Sequence, residues 1–364
     1  MRRTLLVASL PVLAAIWLGA LDPAARLADR PFRFAVSGDS RNCGDVVMPA
    51  IAAGVRQQGA GFYWHLGDFR AIYTFDEDVT HQLAHQAQPL TIIQYENTVW
   101  DDFVRSQIDP FGTRPVFLGI GNHENIPPKT RSDYLEQFAD WLGQPVLTAQ
   151  RLQDDPRAHR LRTYFHWIDH GVDFISMDNA SPDQFDAAQL TWVKAVIARD
   201  EADPAVRAIV LGAHRALPES ISADHSMNES PQMRESGRQV YEALLHAQNA
   251  AGKHVYLLAS HSHYYMENTF NTPYWREHGG VLPGWIVGTA GAVRYPLPAD
   301  AHDAAAAETN VYGYLTGTVA DDGQIAFAFH RIAEAEVPPN TAAQFTPGFV
   351  HWCFAENSLA RPAH

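Results

Sequence analysis

Hydrophobic positions along the chain fall into short runs rich in β-branched and aromatic residues, separated by stretches of helical period. The clearest runs are Phe32–Ser37, Gly61–Leu66, Val116–Ile120, Val172–Met177, Ala208–Gly212, Val255–Ala259, Trp285–Gly288 and Tyr314–Val319. Their length and residue types predict strands. Between them, Val46–Gln57, Tyr134–Leu142, Ala187–Arg199 and Arg238–Ala251 place apolar residues at helical spacing. Asp183 stands where it would cap the third of these helices. Ile325–His330 follows Tyr314–Val319 across Asp322-Gly323, which predicts a hairpin. Sheets layered against helices bury such elements, so the class is α/β (α+β). The short Ala304–Ala307 run reads as a loop or helix start. Leu217–Pro231 and Asn271–Pro283 read as long loops, and Glu334–His364 as loop and tail.

The N-terminus departs from this alternation. Met1-Arg2-Arg3 precedes the uncharged run Thr4–Leu21, the layout of a secretory signal, with small residues Gly19 and Ala20 at a possible cleavage point. Left uncut, the run would be an anchor at the lower length limit for spanning a bilayer. Residues 1–30 are therefore expected to be a signal peptide or anchor, 31–335 one domain and 336–364 a tail. The folded part is expected to be exported, periplasmic or extracellular, and membrane-attached only if the segment is uncleaved. In an oxidising compartment Cys43 and Cys353 would be free to pair.

Composition narrows the partners. A formal net charge of −14 argues against wrapping a phosphate backbone, and two cysteines exclude both a disulfide framework and a four-cysteine zinc site. There is no Gly-x-Ser-x-Gly elbow for a serine nucleophile, and Cys43 has no identifiable catalytic partner. The 18 histidines are the unusual count. His65, His81, His85, His166, His170, His246 and His254 read as ordinary hydrogen-bonded residues, and His225 and His278 fall in long loops. Trp100, Trp141, Trp167 and Trp192 read as packing residues, Tyr264-Tyr265 and Tyr274-Trp275 as core or rim. Asp76-Glu77-Asp78 reads as a solvated helix start.

Candidate chemistry lies where apolar runs end. Phe34–Gly38 leads into Asp39, Phe62–Gly67 into Asp68, and Val116–Gly121 into Asn122-His123-Glu124. Ile209–Ala213 leads into His214, and Val255–Ser260 into His261-Ser262-His263. In an open α/β sheet ligands bind beyond the carboxyl ends of strands, so these residues would gather at one edge. Imidazole together with carboxylate or amide oxygen suits borderline metal ions such as Mn, Zn or Fe.

The motifs Gly38-Asp39-Ser40-Arg41, Gly67-Asp68, Gly121-Asn122-His123-Glu124, His214 and Ser260-His261-Ser262-His263 arrive in the order found in the calcineurin-like metallophosphoesterase superfamily, which includes the purple acid phosphatases. The chain resembles that family over about residues 33–264. The resemblance implies a double-layered β-sandwich flanked by helices. It also implies hydrolysis of a small phosphorylated substrate, a mono- or diester, by metal-activated water. Carried over by position, Asp39, Asp68 and His263 would hold one divalent or trivalent ion, and Asp68, Asn122, His214 and His261 a second. His123 would face the substrate, donating a proton to the leaving oxygen or stabilising transition-state charge.

One position departs from the pattern. Where the common motif has a ligating histidine, this chain has Arg41, which has no lone pair to offer a metal. The tyrosine that purple acid phosphatases bring in would fall at Ala71; Tyr73 is two residues further on. Arg41, Arg70 and Arg215 sit beside the motifs and are candidate phosphate-binding groups, since a guanidinium presents a fork to phosphate oxygens. The other reading of Arg41 is a pair with Asp39, and of Arg70 and Arg215 a structural salt bridge. The alternative function is a non-catalytic or single-metal phosphate-binding module on the same scaffold.

Overall fold

The computed structural model describes residues 31–181 and 185–359. The N-terminal segment, Asp183 and residues 360–364 lie outside them. The strands are β1 (Arg33–Ser37), β2 (Tyr63–His65), β3 (Val116–Leu118), β4 (Phe165–Asp169), β5 (Val172–Met177), β6 (Ala208–Ala213), β7 (His254–Ala259), β8 (Tyr265–Glu267), β9 (Gly284–Val287), β10 (Ala306–Glu308), β11 (Tyr312–Val319) and β12 (Ile325–Ile332). They form a five-stranded sheet in the order β12-β11-β1-β2-β3 and a seven-stranded sheet in the order β10-β8-β9-β7-β6-β5-β4. β1, β2 and β3 run parallel, as do β5, β6, β7 and β9; the outer pairings are antiparallel.

Period-two alternation decides what each strand buries. In β1, Phe34 and Val36 join Trp64, Trp167, Phe174, Val210 and Leu258 in a core that draws on both sheets, whereas Ala35 belongs to a different cluster. That second cluster packs the first sheet against the helices Gly44–Gln58 and Ile92–Phe103, through Val47, Ile51, Val99 and Phe103. A third packs the other sheet against the helices Ala187–Ala202 and Pro231–Asn249, through Val193, Ile197, Val240 and Leu244. The result is a double-layered sandwich flanked by helices. Gly212 makes the sandwich close: a Cβ there would run into the Trp64 ring.

Several local expectations differ. Of the Ala304–Ala307 run only Ala304 and Ala305 lie in a loop; Ala306–Glu308 pairs with β8 as an edge strand. Tyr134–Leu142 divides into Arg131–Gln137 and Ala139–Leu142. The cap of the helix Ala187–Ala202 is Asp186, whose side chain accepts from Gln189 N. Within the expected tail, Thr346 caps a helix Pro347–Ala355 whose Phe349, Val350 and Cys353 are buried in the first sheet's outer core. Cys353 forms a disulfide with Cys43, at the start of the helix Gly44–Gln58, with Cα atoms 5.9 Å apart. Asp76 and Asp78 do open a helix, but both are wholly buried rather than solvated.

Candidate metal centre

The parallel strands β1, β2, β3, β6 and β7 deliver their C-terminal loops to one place. His214 Nε2, after β6, lies 3.0 Å from Asn122 Oδ1, after β3, and 3.0 Å from His261 Nδ1, after β7. It lies 3.3 Å from Asp68 Oδ1, after β2. Sharp turns make this convergence possible. Asp39, Asp68 and His261 all adopt left-handed backbone, with φ of 61°, 59° and 65°, a conformation that non-glycine residues hold only when their surroundings enforce it. Gly121 is required by close approach, since a Cβ would strike Asp68 Oδ1 and the Asp68 backbone N.

Glu124, quoted in the motif but given no role there, ties the loops together. Its carboxylate accepts from the backbone N–H of Asp68 at 2.8 Å, Phe69 at 2.8 Å and Gly121 at 2.7 Å. His65, read as an ordinary histidine, lies buried under the β1 loop, 3.0 Å from Ser40 Oγ.

The donor chemistry fits one cation. His214 Nδ1 is 3.0 Å from the Leu66 carbonyl, which places the proton on Nδ1 and leaves the Nε2 lone pair aimed at Asn122 Oδ1, Asp68 Oδ1 and His261 Nδ1. Acceptors turned on one another in a buried site repel unless a positive charge lies among them: a bound ion or, without one, a proton on His214 Nε2, which the Asp68 carboxylate favours against burial by raising the His214 pKa. Their 3.0–3.3 Å separations are near the roughly 3.4 Å between donors around an ion bound at about 2.1 Å. Burial pulls the His261 imidazole down to about 4, so it is neutral and available as a ligand. Burial opposes the Asp68 anion, but His214 and Arg41 beside it hold its carboxyl well below the usual range.

The other expected ligands make a different arrangement. Asp39 Oδ2 accepts from the His261 backbone N at 2.7 Å, and Oδ1 is 3.3 Å from His263 Nε2. Between these groups stands Arg41. Its Nη1 is 2.7 Å from His123 Nε2, its Nη2 3.2 Å from His263 Nε2 and its Nε 3.8 Å from Asp68 Oδ2. The position where a first ion would lie is thus beside a guanidinium. His123 Nδ1 donates to the Ala71 carbonyl at 2.8 Å, and burial together with Arg41 lowers its pKa.

The remaining arginines are engaged elsewhere. Arg70 is wholly buried, with Nη2 2.7 Å from Asp45 Oδ1 and Nη1 3.1 Å from Asp78 Oδ1, so its guanidinium has no face to offer substrate. This corrects its assignment to phosphate binding; desolvating Asp45 and Asp78 required a countercharge. Arg215 Nη1 is 2.5 Å from Glu229 Oε2, and Glu229 Oε1 is 3.8 Å from His261 Nε2. Arg215 therefore borders the centre through Glu229. His225 and Tyr295, which the sequence did not mark as site residues, complete the wall. The Tyr295 ring stacks on His263 at 4.0 Å and on His225 at 5.2 Å. His225, Glu229 and His261 bring a second trio of donor atoms within 4.8 Å of one another. His278 stacks on Tyr274 and is not part of this wall.

No family model matches the chain and no curated sequence does. Solved structures do match. One described as PhoD is 11% identical, with 84% of this chain and 72% of that chain covered, at a TM-score of 0.50. A dimetal phosphatase from Danio rerio is also 11% identical, covering 83% of this chain and 96% of that one, at a TM-score of 0.49. At such identity the likeness to the PhoD structure speaks for architecture alone, and it agrees with the sandwich. The chain has the fold of the calcineurin-like metallophosphoesterases.

Proposed function

We propose that the protein is an exported, metal-dependent phosphoesterase. One observation carries the reading: Asp68 Oδ1, Asn122 Oδ1, His214 Nε2 and His261 Nδ1, from four strand ends, converge beside His123 and the Arg41 guanidinium. When bound, an ion in this cage supplies a Lewis acid for a phosphoryl oxygen and lowers the pKa of water. The chain's own groups do the rest. Arg41, 8% exposed, offers N–H groups to the phosphoryl oxygens in a setting of low dielectric. His123 rests neutral, with Nδ1–H on the Ala71 carbonyl and Nε2 accepting from Arg41. A phosphoryl group that takes over the Arg41 N–H frees Nε2 to face the leaving oxygen. Once Nε2 has taken a proton from water at the site, the His123 imidazolium hands that proton to the leaving oxygen.

The Cys43–Cys353 disulfide supports export, because such bonds persist in oxidising compartments. No helix among the described residues is long and apolar enough to cross a membrane. The test is hydrolysis of an aryl phosphate and an aryl phosphodiester by the full chain with added Mn, Zn or Fe, alongside His123→Ala. Turnover that needs metal and falls at least 100-fold in His123→Ala is expected. The place of Arg41 favours one second reading, a phosphate-binding module without catalysis. Absence of turnover with every metal, together with normal phosphate binding by His123→Ala, would establish that module instead.

A further inference from the structure

We propose that the Arg41 guanidinium permanently replaces the first metal ion, so that the centre works with one ion, held by Asp68, Asn122, His214 and His261. The inference rests on the phosphoesterase reading and departs from the two-ion arrangement that the resemblance implies.

His263 Nδ1 lies 2.7 Å from the Val293 carbonyl, so the proton sits on Nδ1 and the Nε2 lone pair points into the centre. A first metal ion would take that lone pair; here Arg41 Nη2 donates to it at 3.2 Å. His123 is set the same way by the Ala71 carbonyl and receives Nη1 at 2.7 Å. Two imidazoles, each fixed by a backbone carbonyl, thus hold the plane of the guanidinium, while Asp68 Oδ2 lies 3.8 Å from Nε on the third side. Arg41 is largely buried, so it has little solvent into which to swing. A dication at the first position would stand against a fixed positive charge, with the His263 lone pair already taken.

The same geometry accounts for what the first-site residues do in this chain. Asp39 and Asp68 supply negative charge around Arg41, and His263 positions the guanidinium instead of ligating. A two-metal centre meets phosphoryl oxygens with two ions; this one meets them with an ion and a planar N–H fork. The second position is untouched by the exchange, since its donors lie on the His214 side of Asp68.

The test is metal stoichiometry. The full chain, Arg41→His and His263→Ala are stripped with a chelator, reloaded with excess Mn2+ or Zn2+, desalted and measured by inductively coupled plasma mass spectrometry. One ion per chain is expected in the wild type and in His263→Ala, and two in Arg41→His. Electron paramagnetic resonance of the Mn2+ forms should show isolated ions in the wild type and a spin-coupled pair in Arg41→His. Two ions per wild-type chain would overturn the inference and leave the phosphoesterase reading standing; no ion would overturn both. Loss of the single ion in His263→Ala would make His263 a ligand and overturn the inference. One ion in an Arg41→His chain with wild-type circular dichroism would do the same, because the guanidinium would then not be what excludes the other. The wild-type and His263→Ala results decide the matter even if Arg41→His does not fold.

Discussion

Glu124→Gln removes one of the two acceptor oxygens that hold two site loops together while nearly preserving shape. In the wild type, Oε2 accepts from Asp68 N and Gly121 N at 2.8 and 2.7 Å, and Oε1 from Phe69 N at 2.8 Å. Glu124 is fully buried, so water cannot replace these bonds. Glutamine can turn its one oxygen toward Asp68 and Gly121, but its NH2 then faces the Phe69 N–H, donor against donor. One hydrogen bond is lost and a buried donor left unpaired, a cost of about 1–3 kcal/mol. The two loops carry Asp68 and Asn122, so the donor cage loosens with them, and metal affinity should fall roughly 10–100-fold, as for other residues that orient ligands. Glu124→Ala, which loses all three bonds and leaves a void, should cost more on both counts. Urea unfolding of the metal-free chain, followed by tryptophan fluorescence, reads the first effect, and competition with a chelator for Zn2+ reads the second. Stability within about 0.5 kcal/mol of wild type and affinity within about twofold would refute the reasoning.

Three further outcomes follow from buried charge and chain connectivity. Arg70→Met should destabilise by about 3–5 kcal/mol in urea unfolding, because Asp45 and Asp78 would keep their burial and lose their countercharge. Cys353→Ser should cost about 2–5 kcal/mol in urea unfolding and release the helix Pro347–Ala355 from the start of the helix Gly44–Gln58; reductant should lower the wild-type unfolding free energy by a similar amount and leave Cys353→Ser unmoved. His166 lies between Asp154 at 2.6 Å and Asp173 at 2.7 Å. Burial opposes its charge, but the two carboxylates raise it to about 9. The folded chain therefore holds this proton more tightly than the unfolded one. The stabilisation is complete below about pH 6.5 and lost as pH rises through about 9, a change of at most about 3 kcal/mol. Asp200, raised to about 9 by burial and by Asp173, titrates over the same window, so His166→Asn should reduce the slope there without abolishing it, and an unchanged slope would rule His166 out as a contributor.

The elements that were legible in the chain and those that were not differ in the kind of contact that makes them. Runs such as Val172–Met177 and Val255–Ala259 announce strands because β-branched side chains favour extended backbone locally. The edge strand Ala306–Glu308 and its three-residue neighbour Tyr265–Glu267 are too short to announce themselves and exist because neighbouring strands offer them hydrogen bonds. The helix Pro347–Ala355 was hidden for a related reason: it is apolar nearly all round, so it shows no periodic face, and it is held by Cys43 at the other end of the chain.

Within the site the same division holds. The order of Asp39, Asp68, Asn122, His214 and His261 after apolar runs determined by itself that these donors would share one edge, because parallel strands present their C-terminal ends together. Residue type alone also determined that Arg41 cannot ligate a metal. Tertiary structure decided which groups Arg41 meets, that Arg70 is spent on Asp45 and Asp78, and that Glu124 clasps both ligand loops. Backbone propensity acts between neighbours in the chain. The fate of a charge depends on which opposite charges and lone pairs share its dry surroundings, and those come from residues dozens to hundreds of positions away.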